Sequence, residues 1–223
     1  MQLSRAGILL LLGMGPLAGA TAADLRGHVT LVNAAEAGPQ DPADTVVFFK
    51  PDAPVRVRPL SGYITMTMHG KSFVPHVLTV TEGSAVRFAN SDPILHNVFS
   101  TSTANDFDMG LYGNGPGKSK TFSHAGLVRV YCNVHHEMFA YILVLDTPYF
   151  AAVGEDGGFD LHGLPAGAGT LTVWNPRGEV WRQHLDALSP ELLSLQIRVN
   201  RFAVPDHFNK FGKPYDKNAT PGY

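Results

Sequence analysis

Eight residues, Tyr131-Cys132-Asn133-Val134-His135-His136-Glu137-Met138, constrain this chain more than any other stretch. They hold its only cysteine. The spacing C-x2-H-x2-M sets a thiol, an imidazole and a thioether on one short turn. Upstream, in Ile94-Leu95-His96-Asn97-Val98, a further imidazole opens another apolar run. Two imidazole nitrogens and a thiolate in a plane, with a weak and long axial thioether, make the ligand set of a mononuclear blue-copper site. A fold that uses His96, Cys132, His135 and Met138 together must bring two separate strand ends to one point. Taken singly, each residue has a plainer role: a buried Cys or Met fills core volume, and a lone His is structural. The joint pattern points to metal. Zinc competes, since Cys-His-His also suits a tetrahedral zinc site. A thioether is a poor zinc ligand, so Met138 favours copper.

Met1 to Arg5 carries one positive charge, then come the apolar run Ala6 to Leu17 and small residues from Ala18 to Ala23. This is the layout of a secretory signal peptide over 1–23, with cleavage near Ala20 to Ala23. The run is short for a bilayer span and is interrupted by Gly13, Gly15 and Pro16. The expected product is an exported protein, periplasmic, with no membrane insertion of the mature chain. A lone cysteine in an oxidising compartment forms no internal disulfide, which again suits a metal-bound thiolate. The net charge of −2 offers no basic field for nucleic acid.

The remaining sequence reads as β. Short runs rich in Val, Phe, Tyr and Thr alternate with turn residues. Expected strands are Arg26–Leu31, Thr45–Phe49, Tyr63–Met68, Ser72–Val74, Val77–Thr81, Ala85–Asn90, Asn97–Ser100, Lys118–Phe122, Gly126–Tyr131, Ala140–Leu145, Phe150–Val153, Phe159–Leu161 and Gly169–Trp174. In Val128-Arg129-Val130 the valines face one side and Arg129 the other. One short helix is expected near Ser189–Leu195, with Ser189 as cap and Pro190 at the first helical position.

The stretch from Ser61 to Asp146 resembles the cupredoxins, the plastocyanin and amicyanin family of blue-copper carriers. Cys132, His135 and Met138 match the short amicyanin ligand loop in spacing, and Leu95-His96-Asn97-Val98 matches the upstream ligand strand. The resemblance implies a Greek-key β-sandwich holding one copper ion that cycles between Cu(I) and Cu(II). It implies that Asn97 ties the two ligand loops together by hydrogen bonds. It also implies electron entry at the edge of the second His ligand, through an apolar partner surface formed by Pro93, Ile94, Leu95 and Phe139. In the family Pro often follows that second His. Here His136 does, which leaves His136 as the other choice for the ligand.

A second resemblance lies outside this stretch. Tyr149 to Val153, the turn Glu155-Asp156-Gly157-Gly158, Phe159-Asp160-Leu161 and the Leu164-Pro165 turn into Thr170 to Trp174 are similar to the carboxypeptidase regulatory-like family of small transthyretin-type sandwiches. The opening strands of that family match Leu25 to Val29 and Thr45 to Phe49. The expected fold class is all-β: a cupredoxin sandwich over 59–146, inserted into a discontinuous Ig/transthyretin-like sandwich of 24–58 with 147–200. The tail, 201–223, reads as extended and mobile.

Three functions of different class follow from a copper site. A one-electron carrier between redox partner proteins fits a site closed by four protein ligands. A copper-binding or delivery protein is the alternative, although delivery proteins favour exposed Met-rich or His-rich tracts. An enzyme needs an open coordination position or a second cluster. Glu82, Asp92, Asp106, Asp108 and Glu137 show no pairing for acid–base work, and no Gly-rich phosphate loop precedes a helix. The chain is therefore expected not to be an enzyme, with no catalytic residue. His69, His76 and His136 are the remaining candidates for a second metal, without convincing ligand spacing.

Overall fold

The structure is a computed structural model, and it describes residues 23–33, 39–40, 42–189, 191–201 and 203–215. The expected leader lies outside the described residues up to position 22. Among the described residues, strands make up all the regular structure. In chain order they are β1 (Ala23–Val32), β2 (Pro39–Gln40), β3 (Val46–Pro51), β4 (Tyr63–His69), β5 (Ser72–Val74), β6 (Val77–Thr81), β7 (Ser84–Asn90), β8 (His96–Ser100), β9 (Phe107–Tyr112), β10 (Gly115–Phe122), β11 (Gly126–Tyr131), β12 (Phe139–Leu145), β13 (Tyr149–Ala152), β14 (Gly158–Leu164), β15 (Gly169–Trp174), β16 (Trp181–Leu185) and β17 (Leu193–Arg198).

They form four sheets. The middle of the chain makes two, in the orders β10-β7-β4-β5 and β6-β12-β11-β8-β9. The flanking segments make the others, β14-β1-β17 with β2 on β1, and β13-β3-β15-β16. No sheet among the described residues mixes the middle strands with the flanking ones. Each pair of sheets encloses its own core. In the middle sandwich, Met66, Phe88 and Phe122 pack against Val98, Val130 and Ile142. In the flanking one, Leu25, Val29 and Leu161 pack against Phe49, Leu171 and Val173.

Strand β12 joins the two sandwiches, and its sequence explains how. All seven of its residues are buried, as in a strand covered on both faces. Ala140, Ile142 and Val144 point into the middle core. Phe139, Tyr141, Leu143 and Leu145 point the other way, where they meet Val46 and Trp174 of the flanking sheet. Alternating side chains thus serve two cores from one strand.

The thirteen expected strands are all present, with ends shifted by up to three residues. Four were not anticipated. β9 carries Asp108 and a left-handed Gly110 (φ +68°), so it reads as a turn. The expected helix near Ser189–Leu195 is corrected: β17 pairs in parallel with β1 from Leu193↔Gly27 to Arg198↔Val32. Leu193, Leu195 and Ile197 repeat every second residue, which is a strand period. The Ser189 hydroxyl accepts the Glu191 N–H at 3.2 Å, making a local turn instead of a helix cap.

The tail also departs from expectation. The described residues 203–215 lie against the middle sandwich. His207 stacks on Tyr131 with ring centroids 4.0 Å apart. Lys210 reaches Asp108 at 2.7 Å.

Candidate metal centre

The centre is assembled from β8 and from the hairpin that joins β11 to β12. The last pair of that hairpin is Tyr131↔Phe139, so residues 132–138 form the whole turn. Tyr131 also pairs with Phe99 of β8, which sets β8 beside the turn. Within the turn, the Cys132 N–H donates to the Met138 carbonyl at 3.1 Å, and the Met138 N–H donates to the His135 carbonyl at 3.0 Å. These bonds fold the loop back so that its side chains converge.

His96, Cys132 and His135 come together, with one donor atom from each lying within 4.8 Å of the others. The Cys132 sulfur is 3.8 Å from His96 Nδ1 and 3.7 Å from His135 Nδ1. The imidazole centroids are 4.8 Å apart. A metal bound at about 2.0–2.1 Å to nitrogen and about 2.3 Å to sulfur, with roughly 120° between the bonds, needs N and S about 3.8 Å apart. Both observed separations fit. Cys132 and His96 are fully buried, while His135 is partly open to solvent. Met138 is buried in the same core cluster as Cys132, at the end of the loop.

The electrostatics suit a thiolate. Burial favours the neutral thiol of Cys132. Hydrogen bonding from His96 and from the backbone N–H groups of Asn97, Val134 and His135 outweighs it, and the thiol lies below its ordinary pKa. For His96, burial works against the charged ring, yet contact with Cys132 and Asp92 carries it above the ordinary value. Burial, reinforced by the charges of His96 and Lys71, lowers His135, leaving it the neutral ring that a metal requires.

One organising residue escaped the sequence reading. Asp92, set aside as an unpaired carboxylate, places Oδ2 2.8 Å from His96 Nε2. It accepts the Gly70 N–H at 2.7 Å and the Lys71 N–H at 3.0 Å. A carboxylate on the outer nitrogen of a ligating imidazole fixes its ring and tautomer. The only trace in sequence is the Asp92-Pro93 turn four residues before His96.

The other expected residues fall as follows. His136 points outward, and its nearest acidic partner is Glu137 at 3.9 Å with both side chains well exposed. It is His135 that faces the sulfur. The Asn97 side chain donates to Asp108 of β9 at 2.7 Å, and its backbone N–H serves the Cys132 sulfur. The side chain thus ties β8 to β9, and the backbone N–H ties β8 to the cysteine loop. Pro93 and Leu95 are exposed. Phe139 is corrected as a surface residue: it is buried, because on β12 its ring packs edge-on against His76 and Tyr141 in the cluster shared with the flanking sheet. His69 contacts Ser91 at 3.1 Å, and His76 contacts Asp44 at 2.6 Å. Neither joins a second metal-competent cluster among the described residues.

No protein-family model matches the chain, and no curated protein matches it. Among solved structures it is similar to a purple cupredoxin from Nitrosopumilus maritimus, at 19% identity over 36% of this chain and 98% of that one, with a TM-score of 0.34. It is likewise similar to a reduced amicyanin variant, at 19% identity over 44% of this chain and 99% of that one, with a TM-score of 0.36. A Cu(I) amicyanin variant gives 20% identity over 39% and 85%, with a TM-score of 0.36. Each covers less than half of this chain, and the chemistry of the centre is read from its own side chains. The described residues of this chain are all-β.

Proposed function

We propose that the protein is an exported type 1 copper protein that carries single electrons between redox partner proteins. The observation that carries this reading is the buried trio His96, Cys132 and His135, whose sulfur stands 3.7 and 3.8 Å from two imidazole nitrogens. Copper, when bound, supplies a one-electron couple. The chain supplies everything else. Cys132, His96, His135 and Met138 would hold the ion. Backbone N–H groups directed at the sulfur stabilise the thiolate without titrating. Asp92 holds the His96 ring from behind. Because the ligands sit on strand ends and a closed hairpin, the chain would hold them in place in either oxidation state of the ion. That keeps reorganisation small.

Burial of Cys132 and His96 excludes water from the sulfur and argues against metal exchange as the main task. His135 is the one ligand of the trio with solvent access, so electrons are expected to pass at its edge, near exposed Pro93 and Leu95. The work is electron transfer without a catalytic residue, in the periplasm if the leader acts as its layout suggests. No helix among the described residues is long and apolar enough to cross a membrane.

The test is the visible spectrum of the mature protein loaded with Cu(II). An intense thiolate-to-copper band that bleaches with ascorbate and returns on oxidation is expected. A weak Cu(II) spectrum, or tight zinc binding with no copper uptake, would overturn the reading.

A further inference from the structure

The segment 203–215 touches the metal loop at several points that the copper ligand set does not explain. The Tyr215 hydroxyl donates to the Cys132 carbonyl at 3.3 Å. The Lys210 N–H donates to Asn133 Oδ1 at 3.0 Å. The Lys210 ammonium reaches Asp108 Oδ2 at 2.7 Å, while the other oxygen of that carboxylate accepts the Asn97 side chain at 2.7 Å. Asn97 in turn directs its backbone N–H at the Cys132 sulfur. His207 stacks on Tyr131, the residue before the cysteine, and Tyr215 packs edge-on against His207 at 5.1 Å.

The segment is itself shaped for this. Asn209 Oδ1 accepts the N–H groups of Phe211 and Lys213 at 3.0 and 3.1 Å. The Asn209 N–H donates to the Lys213 carbonyl at 2.8 Å, and the Gly212 N–H donates to the Asn209 carbonyl at 2.9 Å. Gly212 takes the left-handed conformation (φ +72°) that closes such a turn. The closed turn presents Lys210 toward Asn133 and Asp108. A loose tail would lose these contacts to chain entropy.

We propose that residues 203–215 form a strap that positions the Cys132 loop, with Lys210 and Tyr215 as its positioning residues. Tyr215 holds the cysteine's own peptide. Lys210 neutralises Asp108 and, through the Asp108–Asn97 contact, steadies the N–H that faces the sulfur. This rests on the copper reading for its redox consequence, but not for its mechanical one. Without Lys210, an uncompensated Asp108 carboxylate near the site favours the more highly charged oxidised ion and lowers the potential.

The test uses the full-length chain with Lys210→Met, Tyr215→Phe and the double substitution, and with Lys210→Arg as the conservative control. In metal-free protein, amide exchange at Cys132 and Met138 is expected to rise about tenfold in the double variant, with β12 amides unchanged. In Cu(II)-loaded protein, the charge-transfer bands should change in relative intensity and the midpoint potential should fall, with Lys210→Arg restoring both. Unchanged exchange at the loop would overturn the strap. Exchange raised along all of β12 would make the segment a general stabiliser and overturn it too. Faster loop exchange with parental spectrum and potential would overturn the positioning role. If the parent protein itself shows no thiolate-to-copper band, the electron-carrier reading fails, and the metal-free exchange still decides the strap.

Discussion

His96 Nε2 and Asp92 Oδ2 lie 2.8 Å apart with both side chains buried. The imidazole N–H on that side therefore donates to a carboxylate, and Nδ1 is left facing the Cys132 sulfur. The carboxylate is held in turn by two backbone N–H groups from the β4–β5 turn. Asp92 itself is set by its own N–H, which donates to Asn90 Oδ1 at 2.9 Å. A chain of fixed groups thus runs from a surface turn to the metal centre.

Asp92→Asn should weaken copper binding about 10–100-fold, because the neutral amide supports the imidazole less well and leaves a poorer partner for Gly70 and Lys71. Competition against a chelator of known affinity measures it. An unchanged affinity would show that β8 alone orients His96.

His135→Ala should abolish the intense thiolate band, and His136→Ala should leave it largely intact. Their positions differ by one residue but their side chains face opposite ways. Absorption spectra of the two Cu(II)-loaded variants separate them, and the reverse outcome would shift the ligand by one residue.

Asp108 gives the protein an acid-side dependence. Burial pushes its carboxyl upward, but the Lys210 ammonium, the Gly110 N–H and the Asn97 amide hold it below the ordinary value. A carboxylate depressed in the folded state contributes its full stability above the unfolded pKa, near about 3.9, and loses it as pH falls through the folded value. The stability gap between the parent protein and Asp108→Asn should be constant above about pH 5 and shrink below about pH 4. Denaturant midpoints at stepped pH measure the gap; a gap that persists to lower pH would mean Asp108 is not paired in the folded state.

Gly117→Ala should destabilise the metal-free protein by about 3 kcal/mol or more. Its left-handed backbone (φ +71°) is strained for any L side chain, and an added Cβ would lie 1.7 Å from the Phe88 carbonyl oxygen. This is where β10 bulges against β7 between Gly115 and Lys118. Gly62→Ala, also left-handed but with nothing within 4 Å, should cost only about 1–2 kcal/mol. Urea unfolding of both variants makes the comparison, and equal losses would show that the close approach relaxes freely.

What the sequence by itself determined was local. Alternating apolar residues and turn-formers specified a β protein, because the strand period is written into neighbouring residues. The spacing of Cys132, His135 and Met138 placed three candidate ligands on one hairpin, and one cysteine limited the thiolate to one position. Tertiary structure decided the rest, because it concerns which distant surfaces meet. Whether His135 or His136 faces the sulfur depends on the path of the closed turn between Tyr131 and Phe139. Phe139 is buried because β12 has a second sandwich on its far side, which no pattern inside Phe139–Leu145 identifies. Asp92 and Asp108 read as ordinary surface carboxylates until the β4–β5 turn, β9 and the tail are folded around them. Tyr215 contacts Cys132 across 83 residues of chain, a separation at which short-range periodicity carries no information and only the packed fold does.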